Sequence, residues 1–528
     1  MNLFRRCFTE HIFSPFVILF FIAVILRLEA CYRLPLINPD GILYIQQARA
    51  LYYNLPSKVF ASYEYLSGYS FSIAAVYSFV GDWLLSAQIV SLFFSLVTIL
   101  PFYYLNWICW DQNRAWFLTS LYVFSPAFII LAPNVIRGPE FWFLYVSGLL
   151  ATVCYLKSGS WRYFFSAMIL MLFATWIRVE AVYPLLLLLA WFLFNHRRYL
   201  LKYWYVVAFL AVVLIIGIYL LDFSISNRIH HSFERFLTLR RVLKEMINVP
   251  PVGLPPRFFI HIKRFLWLVA FGVLGRSIFH VFSLPVMVLI GISFGLNYKH
   301  PVSVATEPEP DITRFFTILL VGSLVLLYLQ VLYNWESTAR FMAIIYFPGL
   351  VLLGRLLPAL ISWLGNRLSL KEVRVYLLLA LVMFFLSLPG SLYHGHGSGK
   401  VPFKQLGLAL AKVLPADKVL TLCSTVRGVR YTHFYAHLRV PAAPSIFQSC
   451  RQLRVDELNA AFLRKDCCEG LLVVEADGSC RRLQSLLAAN PELSFKLIAE
   501  VVSEKYGTMS LWLREPLHPP EKLPVPVG

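Results

Sequence analysis

The chain is poor in charge, and poorest in acid. Asp, Glu, Lys and Arg make up 14% of its 528 residues, and 28 acidic residues face 47 basic ones. A soluble globular domain carries about 25% charged residues. The short motifs of soluble enzymes are missing too: there is no Gly-x-Ser-x-Gly, no His-Glu-x-x-His and no dinucleotide-binding glycine fingerprint. Gly395-His396-Gly397-Ser398-Gly399-Lys400-Val401 comes nearest to a phosphate loop. It fails because Val401 replaces the required Ser or Thr, and no suitable strand precedes it. No internal repeat of fixed period is found. No small-residue cleavage site follows the first apolar run, so that run is read as a retained span and not as a signal peptide. The nine cysteines fit no zinc spacing. Cys423, Cys450, Cys467, Cys468 and Cys480 fall in the C-terminal part. One or two disulfides there, if the region is extracytoplasmic, and ordinary thiols are equally compatible with the pattern.

What is present is apolar length. Hydrophobic residues make up 59% of the chain. Runs near 20 residues point to a polytopic membrane protein, and an all-helical one, because a helix satisfies its own backbone amides in lipid. The expected spans are 12–30, 83–105, 115–133, 140–156, 163–178, 180–195, 203–221, 264–292, 315–333, 341–363 and 375–391. The run 68–80 is short for a span and reads as a juxtamembrane or re-entrant helix. Arg5-Arg6, Arg114, Lys157 with Arg162, Arg197-Arg198 with Lys202, and Arg367-Lys371-Arg374 fall on one side, which makes that side cytoplasmic. The net charge of +19 therefore speaks for orientation and lipid head groups, with no nucleic acid as partner. Residues 222–262 resist the rule: they fall outside yet are basic. Phe233, Phe236, Leu237, Leu243, Met246 and Ile247 recur there at helical spacing around Arg240, Arg241 and Lys244. That is the pattern of a basic helix at the interface, resting on anionic lipid or holding a lipid head group.

After the transmembrane part, 1–391, a glycine-rich link leads to residues 392–515. There helix-like stretches (Leu406 to Leu414, Val455 to Leu463, Leu483 to Ala489) alternate with strand-like runs (Lys418 to Leu422, Leu471 to Glu475, Leu497 to Val502, Met509 to Leu513). This reads as a small extracytoplasmic α/β domain. Residues 516–528 are a proline-rich tail.

The ionisable residues that draw attention all fall on the outer side. Asn38-Pro39-Asp40-Gly41 precedes a helix-like segment that carries Tyr44. Asp40 is a good helix start by ordinary capping, and a carboxylate placed there can also take a proton from a hydroxyl or bind a divalent cation. Glu64 is a second acid in the same loop, solvated or paired with Asp40. In Arg137-Gly138-Pro139-Glu140, Pro and Glu suit a helix start. Arg137 does not, so it is expected to meet an anion. Arg178 and Glu180 interrupt the apolar run Tyr163 to Phe194, which in lipid is a functional signal unless the two simply pair. Arg340 opens a span in the turn that carries Glu336, and a phosphate is a natural partner for it.

In order and spacing these residues resemble the GT-C class of integral-membrane glycosyltransferases. The bacterial branch of the protein-mannosyltransferase superfamily, with the aminoarabinose and Rgt-type transferases, is nearest. The likeness spans roughly residues 10–390. It rests on Asp40-Gly-x-x-Tyr44, Gly68-Tyr69, Gly81-Asp82-Trp83, Arg137-Gly-Pro-Glu140, Thr175-x-x-Arg178-x-Glu180 and Arg340-Phe341. The resemblance implies a polyprenyl-phosphate-sugar donor and an envelope glycan, lipid or protein acceptor at the periplasmic face of the inner membrane. Asp40 would be the base, with Glu64 as a second acid. The donor phosphate and substrate would meet Tyr44, Arg137, Glu140, Arg178, Glu180, Arg240, Arg241 and Arg340. A divalent cation, Mg or Mn, would bind at Asp40 and Glu64 if one is used. Two departures stand out: a single acid after Pro39 replaces the family's acidic pair, and Leu66-Ser67-Gly68 replaces its Pro-Pro. A glycan polymerase or ligase, kept open by the basic loop 222–262, is one competitor. A flippase is the other, but it would want its polar residues nearer mid-bilayer.

Overall fold

The structure, a computed structural model, describes residues 13–34, 36–55, 66–195, 256–299, 310–334, 337–392, 400–415, 418–438, 450–464 and 468–514. The chain is a helical membrane protein carrying one small sheet. It divides into two compact units. One comprises residues 1–33, 67–69 and 88–394, the other residues 34–66, 70–87 and 395–528. A boundary near 392 is therefore only part of the division: two segments that follow the first span group with the C-terminal region.

The first unit is built of helices. After α1 (Phe13–Tyr32), and setting aside α2 (Pro39–Tyr52) and α3 (Gly68–Val80), come α4 (Trp83–Val97), α5 (Ile99–Cys109), α6 (Gln112–Phe124), α7 (Pro126–Leu131), α8 (Gly138–Ser158), α9 (Trp161–Ile177) and α10 (Val182–Asn195). α11 (Pro256–Lys299), α12 (Pro310–Asn334), α13 (Ala343–Leu368) and α14 (Glu372–Leu392) follow. Among the described residues six helices are long and apolar enough to cross a membrane: Trp83–Cys109, Gly138–Ser158, Trp267–Lys299, Pro310–Leu332, Ala343–Leu368 and Glu372–Gly390. Three more are apolar but shorter: Gly68–Val80, Trp161–Ile177 and Val179–Asn195. The expected span 203–221 and the basic loop with Arg240 and Arg241 lie outside the described residues, as do Glu64 and Glu336.

Three expected spans are irregular, each near a proline. Pro101 cannot donate to the turn before it, and α4 and α5 meet at Thr98, whose backbone stays helical (φ −55°, ψ −28°) so that the two run on as one. Ser125, the residue before Pro126, is held in extended backbone (φ −62°, ψ 117°), and this separates α6 from α7. α11 breaks at Ser283, whose φ of 60° and ψ of 154° precede Pro285. The unit's interior is rich in rings, with Phe102, Phe117, Tyr122, Phe128, Trp142, Tyr346 and Phe347 all buried. Its periphery is equally apolar: Phe21, Ile25, Phe165, Leu284 and Phe385 are exposed, as a lipid-facing surface requires.

In the second unit, α15 (Val401–Val413), α16 (Val429–Ala436), α17 (Ala460–Arg464) and α18 (Ser479–Ala489) accompany five strands. The strands are β1 (Leu422–Ser424), β2 (Cys450–Gln452), β3 (Gly470–Val474), β4 (Phe495–Ser503) and β5 (Gly507–Arg514), in the order β2-β1-β3-β5-β4. β1 is parallel to both β2 and β3, and β5 runs antiparallel between β3 and β4. β3 is buried along its whole length, which explains its unbroken Leu-Leu-Val-Val run. Four of these strands fall on or next to the strand-like runs of the sequence. β2, three residues long, and α16 gave no such signal. Cys423 of β1 and Cys468 before β3 form a disulfide with Cα atoms 5.8 Å apart.

Candidate active site

In the first unit the polar residues gather where α8 begins and α9 ends. Pro139 and Glu140 occupy the first turn of α8. Gly159, at φ 64°, closes that helix in the left-handed conformation a glycine adopts freely, and α9 then packs against α8. The last turn of α9 therefore reaches Arg137, whose Nη1 donates to the Ile177 carbonyl at 3.0 Å. This accounts for a cation at a positive helix start: it is also at the negative end of a neighbouring helix. Gly68 lies at the same place. A Cβ there would stand 2.6 Å from Ile177 Cδ1 and 3.3 Å from the Trp176 ring. The next residue, Tyr69, is buried and shares a 2.6 Å hydrogen bond with Ser91.

Arg178 leaves the helix in extended backbone (φ −146°, ψ 125°) and is 4% exposed. Its Nη2 and Nε donate to the two Glu180 carboxylate oxygens, at 2.8 and 3.3 Å. Its Nη1 donates to the main-chain carbonyl of Arg340 at 3.0 Å. The guanidinium carbon is 5.6 Å from the centre of the Phe141 ring and 4.6 Å from that of Phe341. Arg340 sits in the 3-10 turn Ala339–Phe341, its guanidinium 5.1 Å from the same Phe341 ring. Glu140 is buried in this neighbourhood's first helical turn. Arg137, Arg178, Glu180 and Arg340 are thus linked through the end of α9 and the turn before α13.

Asp40 and Tyr44 belong to the second unit. Asn38 caps α2 in extended backbone, Pro39 is at its first position and Asp40 in its first turn. Asp40 is half-buried and Tyr44 buried. The Ile37 amide donates to the Tyr435 hydroxyl of α16 at 3.3 Å, so the start of α2 is tied to the C-terminal region. At the other end of α2, Arg49 is buried, and its Nε and Nη2 find no hydrogen-bond partner among the described residues. Burial lowers its pKa to about 10. On α16 and just after it, the rings of His433 and His437 lie 4.2 Å apart, and His437 Nε2 accepts from the Leu420 amide at 3.1 Å. Burial, then the neighbouring His437, push His433 down to about 3.

Two features escaped the sequence reading. Arg27 is fully buried within α1, donating through Nε to Ser95 Oγ at 2.8 Å and lying over the Tyr122 ring. An arginine inside the first apolar run was the available signal. The histidine pair carried none beyond its four-residue spacing. Among the described residues no three His, Cys, Asp or Glu side chains gather as a metal site. Of the two acids expected as ligands, Asp40 is described and Glu64 lies outside the described residues.

No protein-family model matches the chain, and no curated protein matches its sequence. Solved structures do match. ArnT from Cupriavidus metallidurans bound to undecaprenyl phosphate is 12% identical, with 96% of this chain and 99% of that chain covered and a TM-score of 0.56. The Archaeoglobus fulgidus oligosaccharyltransferase in complex with Zn and sulfate is 14% identical, covering 94% and 73%, with a TM-score of 0.52. The same organism's AglB, with an inhibitory peptide and a dolichol-phosphate, is 13% identical, covering 98% and 75%, with a TM-score of 0.50. The chain has the GT-C fold. At such identity the GT-C likeness speaks for architecture, and the chemistry has to be argued from this chain's own residues.

Proposed function

We propose that this protein is a membrane glycosyltransferase that moves a sugar from a polyprenyl-phosphate-linked donor to a hydroxyl on an envelope glycan, lipid or protein. The observation that carries the reading is the polar cluster of Arg137, Arg178, Glu180 and Arg340 at the helix ends of a GT-C membrane unit. Cations held at the end of an apolar bundle suit a ligand with an anionic head and a lipid tail. That a structure of the same fold is bound to undecaprenyl phosphate agrees with this.

The acceptor hydroxyl attacks the anomeric carbon, and its proton passes to the Asp40 carboxylate. The bond between the anomeric carbon and the phosphate oxygen breaks, and the released charge collects on the lipid phosphate. Arg137 and Arg340 face that charge, with the Arg178–Glu180 pair supporting them. A single displacement inverts the anomeric centre. The site lies at the outer face of the cytoplasmic membrane, with the N-terminus cytoplasmic and the C-terminal unit outside. The basic loops of the opposite face favour this orientation. So does the Cys423–Cys468 disulfide, a bond that persists in oxidising compartments.

The test is transfer from radiolabelled polyprenyl-phosphate-sugars to a membrane acceptor fraction by purified wild type and Asp40→Asn. Label moved by wild type and lost in the variant supports the reading. Donor that binds both proteins equally and is never consumed sinks it in favour of a lipid-binding or transport protein.

A further inference from the structure

We propose that Arg178 is a positioning residue: with Glu180 it latches the turn Ala339–Phe341 and thereby sets the Arg340 guanidinium, which is the group that meets the anionic ligand. The naming of that ligand as a donor phosphate rests on the glycosyltransferase reading above; the latch does not.

The geometry leaves Arg178 little else to do. Nε and Nη2 are taken by the Glu180 carboxylate and Nη1 by the Arg340 carbonyl. The guanidinium carbon lies over the rings of Phe141 and Phe341, and the residue is buried. Three of its five N–H donors are committed in this way, and at 4% exposure the side chain offers a phosphate little surface. Glu180 holds the fork in the orientation that aims Nη1 at the carbonyl, because a guanidinium is rigid and a bidentate pair fixes its plane.

The segment being held is short and depends on outside donors. Its own bonds are the 3-10 pair, Phe341 amide to Thr338 carbonyl at 3.0 Å and Met342 amide to Ala339 carbonyl at 3.1 Å. Three side chains from three other helices or turns hold carbonyls in it and on either side of it: Ser277 Oγ on Ser337 at 3.1 Å before it, Arg178 on Arg340 at 3.0 Å within it and Tyr145 Oη on Ile344 at 3.1 Å in the first turn of α13. Only the middle grip is charge-assisted, and it falls on the residue whose side chain has to be aimed. Arg137 braces the same region from behind through Ile177, the residue before Arg178. The sequence motif Arg-x-Glu at 178–180 thus has its explanation in a backbone carbonyl 162 residues away.

The test compares Arg178→Met, Arg340→Gln and the double variant in the full-length protein in detergent. The readout is the KM for a labelled polyprenyl-phosphate-sugar. If Arg178 acts through Arg340, Arg178→Met raises KM by about tenfold alone and by less than about twofold when Arg340 is already Gln. Two effects that multiply in the double variant overturn the proposal, because they mean that Arg178 touches the ligand itself. Hydrogen exchange supplies a second readout that needs no activity. The Phe341 and Met342 amides are expected to exchange about tenfold faster in Arg178→Met, with α8 and the body of α13 unchanged. Unchanged exchange there overturns the latch. Wild type that transfers no sugar sinks the function reading alone, and the exchange result still decides. Should Arg178→Met not fold, Arg178→Lys carries both comparisons, since one ammonium cannot span the carboxylate and the carbonyl together. Recovery of slow exchange in Arg178→Lys would also count against a latch built on the guanidinium fork.

Discussion

The guanidinium of Arg137 donates to the carbonyl oxygen of Ile177 at 3.0 Å, so the start of one membrane helix caps the end of the next. A cation at a helix C-terminus is stabilising by roughly 0.3–1 kcal/mol, and a hydrogen bond to a charged donor by about 1.5–3 kcal/mol. Arg137→Met is therefore expected to cost about 1–3 kcal/mol of stability. Arg137→Lys keeps a donor for the carbonyl but loses the planar fork that suits a phosphate. Thermal unfolding in detergent and transfer assays should separate the two: Lys near wild type in stability yet lower in transfer, Met low in both. Lys at full activity would show that Arg137 is a cap and nothing more.

Asp40 has two claims on it, and their sizes differ enough to be told apart. As an acid in the first turn of α2 it interacts with the helix dipole for about 0.3–1 kcal/mol. As a general base it is worth about 10²–10⁴ in rate. Asp40→Asn should therefore lose transfer by at least about a hundredfold while the melting temperature hardly moves. A drop in transfer no larger than the loss of folded protein would leave Asp40 as a helix start.

Gly68 is expected to tolerate no side chain cheaply. An added Cβ meets Ile177 Cδ1 at 2.6 Å, which a rotamer change can relieve, and the Trp176 ring at 3.3 Å. Gly68→Ala should cost around 1 kcal/mol and Gly68→Leu about 1–3 kcal/mol. The damage should fall on Ile177, whose carbonyl Arg137 holds, so donor KM should rise with side-chain size. Equal KM across Gly, Ala and Leu would separate this contact from the site.

These contacts mark what was legible in the sequence. Helices announced themselves through apolar length, and the start of α2 through Asn-Pro-Asp, because both signals are local. Counting spans gave Arg137, Arg178 and Arg340 one expected side. Their partners did not follow from it, since a carbonyl of residue 340 or 177 has no signature of its own in a residue pattern. The irregularity at Thr98 and the breaks at Ser125 and Ser283 were written in Pro101, Pro126 and Pro285, but an apolar run hides a proline in a hydropathy window. The grouping of residues 34–66 with the C-terminal region depends on pairings such as Ile37 with Tyr435, 398 positions apart. β2 is too short to alternate, and it pairs only because β1 presents an edge to it.

The C-terminal unit should weaken in acid, and the buried histidines say where. His433 is pushed down to about 3 by burial first, then by His437 beside it, with the charge of Arg49 adding to the effect. His437 is also lowered, chiefly by burial, against a smaller opposing pull from its hydrogen bond to the His433 carbonyl. In the unfolded chain a histidine takes its proton near pH 6.5. Between that pH and about 3 the unfolded state therefore binds a proton that folded His433 refuses. Stability is full above pH 6.5 and falls as the pH drops through this window, by up to about 1.4 kcal/mol per pH unit for one such group. Thermal unfolding of the full-length protein at pH 7.5, 6 and 5 should show a transition that moves down with acid. His433→Leu, which removes the proton site and keeps an apolar filling, should flatten that dependence. A transition as acid-sensitive in His433→Leu as in wild type would place the sensitivity in some other group.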